Sequence, residues 1–361
     1  MAIGVGTDQV TGGAPAPVIT PPGARRGRLR LPRLPKSGKI RFGLAMLAAF
    51  VILAIVGPIV APYSPNEVFA NSPVPLGPSA MHWLGTTQSQ QDVFSQLLVG
   101  GGSMILVAFI AGIIATALSV LVGVSAGYLG GLADDLLSML ANIFLVMPAL
   151  PLLIIMVGFL GRSSSNHVFV IGLIISVTGW AWGARVLRAQ TLSLRNRDYV
   201  DSARIIGESR WRIITTEVLP NLVPIVASSF LFTVLYAIGT YTALAFLGLV
   251  NPDWSWGGML FYAQGDQAQL SGWWWWYVPP GLLVALLGTS LVLLNFGIDE
   301  FINPRLRAAG LTRRPRRLGR SGQPGRSGRP DRAGRPGRRP EFALTPVVRS
   351  ASSPITEGEQ A

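Results

Sequence analysis

The chain has 361 residues, of which 50% are hydrophobic and only 13% are charged. A soluble domain carries about 25% charged residues, so this composition excludes an ordinary soluble protein and indicates a membrane protein. The net charge of +13 leaves a nucleic-acid-binding protein as an alternative, whereas the absence of cysteine excludes disulfides and cysteine-ligated metal sites.

The N-terminal part predicts a tail followed by a membrane span. Residues 1–41 are rich in Gly, Pro and Arg, and we expect a disordered basic tail. Residues 42–61 carry no charge, and about 20 apolar residues suffice to cross a bilayer core of about 30 Å. A cleaved signal peptide is less favoured, because the leader is long and no small-x-small site precedes a soluble domain.

Five further apolar runs follow, at residues 103–128, 136–161, 168–184, 222–247 and 278–298. They are continuously apolar rather than alternating, which predicts helices and not barrel strands. The fold class is therefore all-α and membrane-spanning, with six helices. Pro148 and Pro151 are expected to kink the third span.

The basic residues predict the orientation of these spans. Residues 1–41, 185–212 and 305–349 hold 8, 7 and 14 of the 30 Lys and Arg residues, and all three segments fall on one side of a six-span chain. The positive-inside rule places both termini and residues 185–221 in the cytoplasm, and residues 62–102 outside it. Topology explains the high net charge better than nucleic-acid binding does.

The C-terminal segment, residues 301–361, is rich in Arg, Pro and Gly in its first part. Such a composition cannot bury a core, so we expect a second disordered cytoplasmic tail. Contact with anionic lipid headgroups is an alternative to a solvated tail.

The chain offers little chemistry of its own. Its only lysines are Lys36 and Lys39, and neither lies in a phosphate-binding loop, so we expect no ATP hydrolysis by this chain. The two histidines, His82 and His167, have no partners at metal-ligand spacing; we expect structural roles for them and no metal or other cofactor. Because the spans are almost free of ionisable groups, an ion-coupled carrier is disfavoured.

Residues 199–220 separate two apolar runs and are polar enough to lie outside a membrane. Their pattern predicts a short helix, a turn at Gly207 with positive φ, and a second helix that Pro220 stops. We expect one face of the first helix to hold Tyr199, Ala203 and Ile206, with Asp198, Asp201 and Arg204 towards another. An apolar stripe is expected on the second helix, formed by Trp211, Ile213, Ile214 and Val218. The segment predicts a docking surface for a soluble partner.

This segment resembles the "EAA" loop of ABC importer permeases. Asp201-Ser202-Ala203 is followed after three residues by Gly207, and later by Leu219-Pro220, at the spacing of that family. Asp201 stands for the family's Glu, Ser202 for its first Ala, and Glu217 for an expected Ile.

Other stretches resemble the C-type permeases of dipeptide and oligopeptide importers over most of residues 42–307. Two examples of these stretches are Leu84-Gly-Thr-Thr and Ala126-Gly-Tyr-Leu-Gly-Gly131. The full set of seven stretches begins at Leu84, Asp92, Ala126, Ser193, Leu244, Ser255 and Asn303. The resemblance implies a permease core over residues 103–300 in a prokaryotic inner or plasma membrane. It also implies four kinds of partner: the lipid bilayer, a second, DppB-like permease, two ATPases that hydrolyse the ATP, and an extracytoplasmic substrate-binding protein.

By the same resemblance, residues 191–221 form the loop that couples to the ATPases. The matching positions are Tyr199, Asp201, Ser202, Ala203, Gly207, Leu219 and Pro220. The implied function is a non-catalytic translocation subunit of an importer for oligopeptides or similar oligomers.

A run of four tryptophans, Trp273, Trp274, Trp275 and Trp276, precedes the sixth span. An interfacial aromatic belt is the favoured interpretation, and a surface for the binding protein or for sugar rings is the alternative. Residues 273–281 and 295–300 are similar to permeases that serve oligosaccharides, so a β-glucoside-type importer of the same family remains a second hypothesis. Carriers, exporters and membrane-anchored nucleic-acid-binding proteins are the alternatives from other classes.

Overall fold

The structure is a computed structural model that describes residues 38–69, 75–164, 167–250 and 254–302, without the side chains of 161–164 and 299–302. Most of the two predicted tails, residues 1–37 and 303–361, lies outside the described residues. Residues 38–41, predicted as tail, are instead the first residues of a helix.

Within these ranges the chain forms ten α-helices and one π-helical turn, and no strand. The helices are α1 (Gly38–Val60), α2 (Val93–Leu129), α3 (Gly131–Val146), α4 (Ala149–Ser164), α5 (Val168–Leu194), α6 (Asp198–Ile205), α7 (Arg210–Ile213), α8 (Leu219–Phe246), α9 (Trp256–Gly265) and α10 (Trp274–Ile302), with the π-helical turn Ile214–Val218 between α7 and α8. The predicted all-α class is confirmed.

In the part of the chain that the structure describes, five stretches are long and apolar enough to cross a membrane: α1, α2, α5, α10 and the continuous stretch Arg210–Phe246. The pair α3 and α4 makes a sixth span if it is counted as one, although its two halves are bent by 88°. The kink predicted for the third span is therefore a break between two separate helices. Met147 is extended, with ψ of 131°, because the ring of Pro148 disfavours helical backbone at the residue before it.

Helix α2 begins ten residues earlier than predicted, inside the segment assigned to the outside, because Asp92 caps it. The Asp92 carboxylate accepts hydrogen bonds from Ser95 N at 2.7 Å and from Ser95 Oγ at 2.6 Å. Its other oxygen lies 2.9 Å from Nδ1 of the buried His82. His82 thus has the structural role that was expected, since it fixes the cap that starts α2.

Helices α2 and α5 pack closely through small residues, and both contribute to the main apolar core, to which α8 and α10 add Tyr241, Leu244 and Leu287. A Cβ on Gly123 would overlap the carbonyl oxygen of Ala184. Ser119 Oγ, one turn before Gly123, donates to Trp180 O at 2.6 Å. Side chains larger than hydrogen at Gly123 would therefore separate the two helices.

We predict that Gly123→Ala lowers the stability of the folded chain by about 1–3 kcal/mol, because the added methyl group overpacks a backbone contact. The measurement is the thermal unfolding midpoint of the purified chain in detergent. Gly158→Ala is the matched control, since a Cβ on Gly158 in α4 has no neighbour within 4 Å. Equal midpoints for the two variants would contradict the close α2–α5 contact.

Candidate functional site

The docking loop, defined as residues 195–218, joins α5 to α8 and is anchored to the adjoining ends of α2 and α5. The anchor is a buried apolar cluster of loop side chains and helix side chains, namely Val200, Ala203, Ile213, Ile214 and Val218 with Val124, Tyr128, Leu187 and Leu222. Val200 and Ala203, three residues apart, share the inward face of α6. The loop is therefore held against the helix ends by buried apolar contacts.

The turn after α6 is a Schellman motif, which confirms the turn predicted at Gly207. Glu208 N donates to Ala203 O at 3.1 Å, and Gly207 N donates to Arg204 O at 3.0 Å. Gly207 has φ of +87°, in the left-handed region that favours glycine. These two bonds satisfy the last carbonyl groups of α6 and fix the direction of the chain towards α7.

The tip of the loop is apolar and exposed. Ile205 and Ile206 are 86% and 80% exposed, and Trp211 is also exposed. The predicted shared face of Tyr199, Ala203 and Ile206 is wrong, because Ala203 points into the anchor while Ile206 lies beyond the last helical residue. In the predicted stripe of the second helix, Ile213, Ile214 and Val218 are buried, but Trp211 is not part of it.

Two ion pairs within the loop lie close to this tip. Arg204 Nη1 lies 2.8 Å from Asp201 Oδ1, and the Arg204 guanidinium stacks over the Tyr128 ring at 5.4 Å. Arg212 Nε lies 3.3 Å from Glu208 Oε1. These two pairs reduce the net charge beside the exposed apolar side chains of the tip.

The prediction that Pro220 stops the second helix is wrong, because Pro220 lies in the first turn of α8. The π-helical turn at Ile214–Val218 precedes it and widens the helix where the proline ring would meet a carbonyl group. Asn221 Nδ2 donates to Glu217 O at 2.6 Å, which satisfies one carbonyl of the widened turn. Arg210–Phe246 is consequently one continuous helical stretch.

The predicted coupling residues occupy four different environments. Tyr199, Asp201 and Ser202 are exposed along α6, Ala203 is buried in the anchor, and Gly207 is at the turn. Leu219 and Pro220 lie at the foot of α8 rather than at the tip. The exposed Ile205 and Ile206 were not among the predicted site residues. Ile205 is two residues beyond Ala203 and so points away from its face, and Ile206 follows the last residue of α6, where the chain leaves the helix.

The four tryptophans do not form one exposed surface. Trp274 is 51% exposed, whereas Trp276 is buried, and Trp275 Nε1 donates to Thr86 O at 3.4 Å. Successive residues of a helix point in directions about 100° apart, which accounts for their different environments. In the described ranges, no three side chains of His, Asp or Glu come together as metal ligands.

Comparison with known proteins identifies the family. Residues 119–308 match the family profile "Binding-protein-dependent transport system inner membrane component". The chain is 30% identical to the dipeptide transport system permease protein DppC of Bacillus subtilis (strain 168), over 76% of this chain and 84% of that protein. It is 32% identical to the oligopeptide transport system permease protein OppC of Mycobacterium tuberculosis (strain ATCC 25618 / H37Rv), over 74% of this chain and 92% of that protein.

A third relative is the probable D,D-dipeptide transport system permease protein DdpC of Escherichia coli (strain K12), which is 30% identical over 72% of this chain and 85% of that protein. The resemblance described from the sequence motifs is confirmed, and the match does not support the classes of carrier or nucleic-acid-binding protein. The chain belongs to the family of inner membrane components of binding-protein-dependent transport systems, and is a multi-pass membrane permease subunit.

Proposed function

We propose that this chain is one of two permease subunits of an ATP-driven importer for oligopeptides. The peptide substrate is supported by the relatives, which are named as dipeptide and oligopeptide permeases. Two ATPases, a second DppB-like permease and an extracytoplasmic substrate-binding protein complete the proposed complex. ATP hydrolysis belongs to the ATPases.

The observation that carries the coupling role is the exposed apolar tip of the docking loop. Ile205 and Ile206 are both at least 80% exposed on a helix end that is polar elsewhere. Burying an isoleucine side chain contributes about 1.5–3 kcal/mol, so a groove that covers both gains a substantial part of a stable contact. A short helix that inserts apolar side chains into a groove is a common mode of recognition.

Transmission of the ATPase motion follows from the anchor. Ala203 and Val200 tie α6 to the ends of α2 and α5, and α7 continues into α8. A displacement of the tip therefore moves three spans and not a free loop. ATP binding favours the closed ATPase pair, and the difference in contacts between the two states shifts the permease between its openings.

The proposed location is a prokaryotic inner or plasma membrane, with both termini and the docking loop in the cytoplasm. The distribution of Lys and Arg supports this orientation. It puts the loop on the side where ATP is available, and the segment before α2 on the side of the binding protein.

The double substitution Ile205→Ala and Ile206→Ala tests the docking surface. We expect binding of the ATPases to weaken by about 10- to 100-fold, since truncation of central apolar side chains at an interface costs more than about 1 kcal/mol each. The unfolding midpoint of the chain should not change, because these side chains are exposed. Co-purification of the ATPases and ATP-driven peptide uptake are the measurements.

Thr216→Ala is the control, since Thr216 is exposed on the same loop and, among the described residues, its hydroxyl donates only to Arg212 O of its own helix. If the double variant binds the ATPases and imports peptide as the wild type does, this tip is not the docking surface. Ala203→Asp is unsuitable as a docking test, because a carboxylate inside the anchor disrupts the chain itself.

Gly207 provides an independent test of the turn. Gly207→Val should strain the backbone by about 1–2 kcal/mol or more at φ of +87°, whereas Gly207→Asn should be milder because Asn tolerates this region. A Cβ at this position meets no atom within 4 Å, so the effect comes from the backbone alone. We expect faster hydrogen exchange at the Gly207 and Glu208 amides and reduced uptake in the Val variant. Identical exchange in the Val and Asn variants would contradict the Schellman turn.

Single cysteines test the orientation, because the chain has none of its own. Ser271 and Ser193 are both exposed and lie at opposite ends of the spans. A cysteine at position 271 should react with an impermeant thiol reagent in intact cells, and one at position 193 only after lysis. The reverse pattern would overturn the proposed orientation.

A further inference from the structure

A pocket lies at the end of the helices opposite the docking loop, where the segment before α2 meets α9 and the start of α10. Its volume is about 190 Å³. The lining residues are Thr87, Ser89, Gln91, Gln96, Trp254, Met259, Tyr262 and Trp276. None of these side chains carries a charge.

The polar wall of the pocket is held in place by its own contacts. Gln96 Nε2 donates to Gln91 Oε1 at 2.9 Å and to Pro65 O at 3.3 Å. Gln96 and Thr87 are buried, and the neighbouring Asp92 caps the helix that carries Gln96. The wall is thus formed before any ligand arrives.

Trp276 supplies a hydrogen-bond donor that no described residue uses. Its side chain is 2% exposed, and its Nε1 is buried without an acceptor in the described part of the chain. Two nearby tryptophans differ: Trp256 Nε1 donates to Leu97 O at 2.9 Å, and Trp275 Nε1 donates to Thr86 O. A buried donor without a partner is costly, and an acceptor that enters this pocket would remove that cost.

A buried acceptor adjoins the same wall. Gln90 lies between Ser89 and Gln91, and its Oε1 is also buried without a donor among the described residues. The pocket therefore has aromatic walls and an unused donor on Trp276, and Gln90, which does not itself line the pocket, holds an unused acceptor next to its wall in the chain. A peptide group carries the complementary pair, one carbonyl and one N–H.

The volume limits the size of the ligand. Pockets for whole drug-sized molecules measure about 300–1,000 Å³, so this pocket is too small for an entire oligopeptide. The pocket therefore suits a ligand of about the size of one amino-acid residue. The absence of charge on the lining side chains disfavours a free amino or carboxyl terminus, whose burial requires a paired charge.

We propose that this pocket binds one uncharged residue within the transported peptide. Its carbonyl oxygen accepts from Trp276 Nε1, and its side chain contacts Trp254, Met259 and Tyr262. The ligand class rests on the proposed import of peptides. In the proposed orientation the pocket faces the side on which the binding protein delivers its cargo.

Photolabelling of the assembled complex, without the binding protein or ATP, tests this site. The probe is the N-acetyl amide of photo-leucine, and mass spectrometry locates the labelled residues. We expect labelling of the pocket residues, with N-acetyl-leucinamide competing at about 1–10 mM and free leucine competing at least tenfold more weakly. Trp276→Phe keeps the ring but removes the donor, and should weaken competition about five- to tenfold.

Trp274→Phe is the matched control, because Trp274 is exposed on the same helix and does not line the pocket. Ser89→Trp, at an exposed lining position, should block labelling without altering the core, and it keeps the test valid if Trp276→Phe fails to fold. The proposal is overturned if the folded wild-type complex shows no label in the pocket, if labelling persists in Ser89→Trp, or if glucose competes better than the amide.

This labelling is independent of the proposed transport cycle. A complex that imports peptides but shows no label in the pocket contradicts the pocket alone. A complex that is labelled there but imports no peptide contradicts the proposed function and leaves the binding site intact.

Discussion

Helices α2 and α5 approach so closely that their contact determines where the functional parts of the chain lie. Gly123 and Gly127 of α2 face backbone atoms of Ala184 and Arg188, which leaves no room for a side chain. In the same stretches, the two helices supply Val124, Tyr128 and Leu187 to the anchor of the docking loop. Close packing inside the membrane and positioning of the loop outside it are therefore parts of one contact.

The docking loop presents a small apolar surface on a rigid support. Two isoleucines at the tip are exposed, four of the loop's charged side chains form two ion pairs, and its inner face is buried. The Schellman turn at Gly207 holds this arrangement without help from a partner. A preformed surface of this kind loses little conformational entropy when it binds, so the apolar burial is available for coupling.

Much of this architecture could be predicted from the sequence, because continuous apolar runs mark spans and a polar segment with a glycine marks a turn. The start of α2 after its cap, Asp92, could not be predicted, since the cap depends on His82, ten residues away in the chain. The inward direction of the Ala203 side chain could not be predicted either, because tertiary contacts with α2 and α5 determine it. The helix end predicted at Pro220 is wrong because a π-helical turn relieves the clash with which a proline ordinarily ends a helix.

The central claim is that Ile206 is covered by an ATPase in the assembled transporter. The most direct measurement is the rate at which a cysteine at position 206 reacts with a maleimide, in the isolated chain and in the complete complex. Since Ile206 is 80% exposed in the chain alone, we expect fast reaction there and at least a tenfold slower reaction when the ATPases are bound. Equal rates in the two samples would contradict the docking role of this loop.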